Sequence, residues 1–298
     1  TVFFFLRTFP FGRAPLIFIV MDFLFLLGYN LLMKNTLKNE LAVCGFAAVK
    51  TLEKINWQRI QRLYFTDERA PLFGGLCKKL AAAKKPYNKV KDPVELEKLC
   101  GSVHHQGVVA MIEPPVIEPL TTDITATWVS AGESAVLLDR VGNANNLGAI
   151  VRSAAFFGIK NIVIPLDEAQ SSVTTSSYRV AEGGMEFVHI YSIKSIPFLL
   201  KDMAGKMVRI GTALDAKKSV SELSELCAGK PAIIVLGNEE NGISSAVREN
   251  CDYTVIIPFA GMNSSAETPN VDSLNVAQAS SVIMYELTRR ALEEEKVD

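Results

Sequence analysis

From Ala135 onward the chain repeats one unit: a short β-branched run, a polar turn carrying Gly or Asn, then a segment of helical length. The runs are Ala135 to Leu138, Asn161 to Ile164, Glu186 to Ile190, Val208 to Ala213, Ala232 to Leu236 and Tyr253 to Ile257. Helices are expected between them at Gly148 to Phe157, Ser176 to Ala181, Ser195 to Met203, Ser221 to Leu226 and Ser244 to Glu249. A long last helix is expected from Leu274 to Leu292. Strands this short and apolar, each separated from the next by a helix, pair in parallel and need cover on both faces. The expected fold class is α/β with a mostly parallel sheet, whose ligands belong beyond the carboxyl ends of the strands.

Ahead of this domain, assigned to 132–298, residues 34–114 read as a small α/β module. Its expected elements are a helix at Ala47 to Ile55, a strand at Arg62 to Phe65, a Lys-rich helix at Leu72 to Ala83, and Tyr87 to Val90. An acidic helix, Pro93 to Leu99, and a buried strand, Val108 to Ile112, complete it. Charge separates the two parts. Lys34 to Glu113 carries 14 basic and 8 acidic side chains, whereas Pro114 to Asp298 carries 15 and 23. A basic front and an acidic rear imply modules with different partners. Lys78, Lys79, Lys84, Lys85 and Lys89, around Tyr87, suit a phosphate backbone, and a solvated face explains them equally well. Residues 115–131, with two prolines and four threonines, read as a linker. Residues 1–33 are nearly all apolar from Pro15 to Met33 apart from Asp22, and read as a dispensable extension or a membrane anchor. Without that segment no membrane partner is expected, and the chain reads as cytoplasmic.

Several site classes are excluded. Five cysteines, odd in number and with no CxxC pair, argue against a disulfide framework, and with only three histidines no metal centre is expected. No GxGxxG follows the first strand of the repeat and no P-loop is complete, which disfavours a conventional NAD or ATP site. Instead, three polar segments stand at strand ends: Asn143 to Arg152, Gly237 to Ser244, and Asp272 to Ala277. Singly, Asn146 reads as the cap of the helix starting at Gly148 and Arg152 as a surface charge.

Together and in this order, Asn146-x-Gly148-x-x-x-Arg152, Leu236-Gly237-x-Glu239-x-x-Gly242-Ile243-Ser244, and Ile257-Pro258 followed by Ser273-Leu274-Asn275-Val276 resemble the three motifs of the SpoU/TrmH family of RNA ribose 2′-O-methyltransferases. The resemblance covers Ala135 to Leu292. The front module, ending in His104-His105-Gln106-Gly107, resembles the ribosomal-protein-like RNA-binding domain of many members. It implies a knotted (trefoil) SPOUT fold, S-adenosylmethionine as cofactor, a homodimer, and an RNA substrate, ribosomal first and transfer RNA second. By motif, Gly237, Ile257, Leu274, Ala213, Leu236 and Pro258 would contact the cofactor. Arg152, Asn146, Glu239, Ser273 and Asn275 would line the reaction site.

The loop Phe259 to Asp272 is several residues longer than the family's, Ala277-Gln278 replaces the common Ser-Val, and Asn241 stands where an acidic residue is frequent. The competing reading, a non-catalytic RNA-binding paralogue, calls for loss of Arg152 or Asn275, and both are present. His104 and His105 read as a structural turn and His189 as core or edge of a strand. Arg179, Glu182, Gly183 and Gly184 are open to two readings, RNA contact and helix capping.

Overall fold

The computed structural model describes residues 40–260, 271 and 273–294; the apolar segment 1–33 and most of the lengthened loop lie outside them. The front elements are Leu41–Cys44 (β1), Phe46–Ile55 (α1), Ile60–Phe65 (β2), Gly74–Ala82 (α2), Tyr87–Lys89 (β3), Val94–Cys100 (α3) and Val108–Ile112 (β4). These strands form a four-stranded sheet in the order β1-β4-β2-β3. β1, for which no strand was expected, pairs antiparallel with β4, Leu41 opposite Ile112.

The rear follows as Glu118–Pro119 (β5), Thr122–Ala131 (α4), Ala135–Asp139 (β6), Ala144–Phe156 (α5), Asn161–Pro165 (β7), Thr175–Ala181 (α6), His189–Ile193 (β8) and Ile196–Asp202 (α7). Val208–Thr212 (β9), Lys218–Ser219 (β10), Leu223–Cys227 (α8), Ala232–Gly237 (β11), Ser245–Arg248 (α9), Tyr253–Ile256 (β12) and Val276–Glu294 (α10) complete it. Eight strands run β10-β12-β9-β11-β6-β7-β8-β5, and every pairing is parallel. β7 and β8 extend the sheet on one side of β6, whereas β9 and β11 lie on the other. The order therefore reverses at the β6/β11 pair, where such sheets open a crevice for a ligand.

Strand alternation divides the core. Val136, Leu138, Ile162, Ile164, Ile234 and Leu236 join one apolar cluster, and Ala135, Leu137, Val163, Ile233 and Val235 another. Successive side chains leave opposite faces of a strand, and helices cover both faces here, which is why β6 and β11 are apolar throughout. The first cluster continues into the front module through Val43, Leu52, Ile60 and Leu63, so the two sheets share one core.

Three expectations are corrected. The expected linker 115–131 carries β5 and α4. Its Pro119 sits on an edge strand, where no N–H is required; Thr121 caps α4, accepting from the Ile124 N–H at 3.4 Å; Trp128 is buried in the second cluster. The strand expected at Glu186 to Ile190 begins only at His189. Gly184–Glu186 form a 3₁₀ turn instead, because the Glu186 carboxylate is engaged by Asn56 and Arg59 of the front module. The helix expected to start at Gly148 starts at Ala144, because Asn143 rather than Asn146 caps it, accepting from the Asn145 N–H at 2.8 Å.

Candidate active site

β6 and β11 end side by side, Asp139 in register with Gly237. The buried Asp139 carboxylate accepts the Arg140 Nε–H at 2.9 Å and the Ser244 N–H at 2.9 Å, tying the end of β6 to the loop after β11. Within that loop Asn238 Oδ1 accepts from the Glu240 N–H at 2.8 Å and from Asn241 at 3.3 Å. Its amide donates to the Arg140 carbonyl at 3.0 Å. The loop folds back so tightly that a Cβ on Gly237 would lie 2.2 Å from the Gly242 carbonyl carbon and 2.3 Å from the Ile243 nitrogen. Only glycine fits there.

This loop, the turn after β9, the end of β12 with the residues after it, and the start of α10 with the residues before it line a cavity of about 660 Å³. All six expected cofactor contacts, Ala213, Leu236, Gly237, Ile257, Pro258 and Leu274, line it, as do Glu239 and Ser273. Sequence reasoning missed Thr212, Asp215, Arg248 and Ile283, which also line it. Asp215 accepts from Arg248 at 2.9 Å, and that guanidinium holds its carboxyl below the usual carboxylate range. Asp139 and Asn238 were missed as well. The available signal for Asp139 was a single acid closing an otherwise apolar run.

Asn146, Glu239 and Asn275 come together from three separate segments. The Asn146 amide donates to Glu239 Oε1, and Asn275 Nδ2 donates to Asn146 Oδ1 at 3.1 Å. Asn275 Oδ1 accepts from the Ala277 N–H at 2.9 Å, which fixes its side chain at the start of α10. Arg152, further along α5, lies outside the cavity lining and pairs instead with Glu182 at 3.1 Å. Glu182 is the C-cap of α6, and Arg179 on the same helix donates to Asn145 Oδ1 at 3.5 Å.

Lys78, Lys79, Lys84 and Lys89 are exposed and Lys85 is half-buried. Lys79 stands over the Trp57 ring at 5.8 Å, and Lys89 pairs with Asp67 at 2.7 Å. His105 is buried in the turn before β4, where its Nδ1 accepts from the Gly107 N–H at 3.0 Å. His189 opens β8 and is exposed.

A model of the SpoU rRNA Methylase family matches residues 133–285, and one for RNA 2′-O ribose methyltransferase substrate binding matches residues 42–117. The chain belongs to the SpoU rRNA methylase family. An "Uncharacterized tRNA/rRNA methyltransferase" of Mycobacterium avium (strain 104) is 31% identical over 196 residues, 66% of this chain and 60% of that protein. A 23S rRNA (guanosine-2′-O-)-methyltransferase RlmB of Acinetobacter baylyi is 35% identical over 202 residues, 66% of this chain and 76% of that protein. The match thus spans 60% of the length of the mycobacterial relative. The crystal structure of the SpoU methyltransferase AviRb from Streptomyces viridochromogenes in complex with the cofactor AdoMet has a TM-score of 0.63 at 25% identity, covering 87% of this chain and 93% of that one. An AdoMet-bound rRNA methyltransferase from Sinorhizobium meliloti, at 20% identity and TM-score 0.65, shares the fold.

Proposed function

We propose that this SpoU-family chain methylates a ribose 2′-hydroxyl in structured RNA, ribosomal RNA first and transfer RNA second, with S-adenosylmethionine as methyl donor. The observation that carries the reading is the meeting of the three motif segments: Asn146 is hydrogen-bonded to both Glu239 and Asn275, and Glu239 also lines the cavity. The cavity suits the donor. Its volume lies within the range of small-molecule sites, Leu236, Ile257, Leu274 and Ile283 supply apolar walls for a flat base, and Glu239 supplies negative charge toward a sulfonium. Bound there, S-adenosylmethionine supplies a methyl carbon on a positively charged sulfur.

The protein's own task is to hold a ribose oxygen in line with that carbon and to ease loss of its proton. Asn275 and Ser273, at the opening of α10, orient the hydroxyl. Arg152 clamps the neighbouring phosphate and stabilises the developing alkoxide. A guanidinium has five N–H donors and no acceptor, which makes it a poor base and a good fork for anions. The front module and its lysines bring the RNA to this edge.

The knot and the homodimer belong to the same proposal. Phe156 is 81% exposed and continues through Phe157 to Tyr285, leaving an aromatic strip on α5 and α10 suited to a second copy. Among the described residues no helix is long and apolar enough to cross a membrane, and a cytoplasmic location is part of the proposal.

The test is tritium transfer from labelled S-adenosylmethionine to total RNA from cells lacking the protein. Label in one size class, resistant to alkaline cleavage at one position and absent with Arg152→Ala, is expected. No label on any RNA together with no cofactor binding by calorimetry would refute the catalytic reading and favour the non-catalytic paralogue.

A further inference from the structure

We infer that Glu182 is a placeholder for RNA: its carboxylate occupies the Arg152 guanidinium in the free protein and yields it to a backbone phosphate of the incoming strand. The inference rests on the proposed role of Arg152 and extends it to a residue in none of the three motif segments. Arg152 and Glu182 meet at 3.1 Å with side chains 57% and 47% exposed. The pair is open to solvent and exchangeable, unlike the sequestered Glu186 nearby, whose side chain is 2% exposed.

The backbone, rather than side-chain freedom, sets this pairing. Glu182 adopts the left-handed conformation at φ 46°, which side-chain-bearing residues rarely take, and Gly183 follows at φ 96°. A Cβ on Gly183 would lie 2.4 Å from Thr51 Oγ1, so the front module presses on the turn from one side. A Cβ on Gly184 would lie 3.1 Å from the Arg152 Cα, so α5 presses from the other. The turn is therefore wedged directly over Arg152.

Glu182 also extends a polar row. Ser176 and Arg179, three residues apart on α6, both reach Asn145, at 2.6 and 3.5 Å, beside the bonded Asn146. An RNA strand that reaches the Asn146 cluster meets this row beside it. A backbone phosphate there offers the planar Arg152 fork two oxygens, as a carboxylate does, and the strand brings further phosphates with it. The carboxylate thus keeps the fork oriented and closed to stray anions until a polyanion arrives. Glu182 is a positioning residue in this account, since it acts through Arg152.

The experiment is a double-mutant cycle on the full chain, comparing wild type, Glu182→Gln, Arg152→Ala and the double variant. Binding of a fluorescently labelled RNA stem-loop is read by polarisation across a salt series, with melting temperatures as a check on folding. Exposed ion pairs are weak, so Glu182→Gln is expected to bind about two- to fivefold more tightly. Its log–log salt slope should steepen by up to about one phosphate contact, because in wild type the displaced Glu182 carboxylate takes up a cation that offsets one released from the RNA, and glutamine does not. Both effects should vanish in the Arg152→Ala background. Equal tightening in both backgrounds would reduce Glu182 to a general surface charge and overturn the inference, as would unchanged binding or no binding by wild type. Methyl transfer, measured in parallel on wild type, tests the proposed function separately: its failure with an intact cycle sinks the catalytic reading alone.

Discussion

Replacing Glu186 by Ala should loosen the front module from the SpoU-family domain. The Glu186 carboxylate accepts Asn56 Nδ2 at 2.5 Å and Arg59 Nη1 at 3.3 and 3.4 Å, and its side chain is 2% exposed. Breaking a fully buried pair from one side costs about 3–5 kcal/mol, mostly by stranding the remaining charge. Arg59 is 28% exposed and keeps the Tyr178 hydroxyl at 2.9 Å, which lowers the expectation to about 2–3 kcal/mol. For a unit of this size each kcal/mol moves the melting temperature by about 2–4 °C, giving a fall of about 4–12 °C. Glu186→Gln keeps the shape and an acceptor for Asn56 while losing the charge, and should fall between. The assay is thermal melting by circular dichroism with hydrogen exchange over β4 and β8, where protection should drop first. A fall below about 1 °C for the Ala variant, with unchanged exchange, would refute the clamp.

Gly237→Ala forces the 238–243 loop outward by about 1 Å to restore carbon contact distances, at a cost of about 1–3 kcal/mol. Calorimetric titration with S-adenosylmethionine should show weakened binding, and wild-type affinity at wild-type stability would contradict the geometry. Trp128→Ala removes a side chain 2% exposed and should destabilise by about 3–5 kcal/mol in urea unfolding, whereas a true linker would tolerate it. Asp252 accepts Arg209 Nε at 2.9 Å and the Arg209 N–H at 2.8 Å, and that guanidinium holds its carboxyl below the usual range. A depressed folded pKa stabilises above the unfolded value of about 3.9 and is lost as pH falls through the folded one. Asp252→Asn should therefore melt lower than wild type at neutral pH, with the gap closing below about pH 4; a gap constant from pH 7 to 3 would exclude the pair as its source.

The parallel sheet was legible because a strand covered on both faces has to be apolar throughout, and Ala135 to Leu138 and Ala232 to Leu236 are. β1 was not, since Leu41–Cys44 is four residues long and gains its meaning from pairing with β4. Thr121 to Thr127 misled for a related reason. Threonine is a poor helix former, and only the burial of Trp128 and Thr125 turns that stretch into α4. In the site, residues within contiguous motif segments were readable, whereas Asp215, Arg248 and Asp139 depend on partners far away in sequence.

By itself the sequence determined the alternation of strands and helices, the family, and which residues stand at strand ends, because these depend on local pattern and on motifs read along the chain. Tertiary structure decided which of those residues meet. It joined Asn146 to Glu239 and Asn275 across gaps of 93 and 129 residues, and it gave Arg152 to Glu182 instead. Side-chain reach is a few ångströms, so such partnerships follow strand order and the turn wedged between two modules, and neither is written in local spacing.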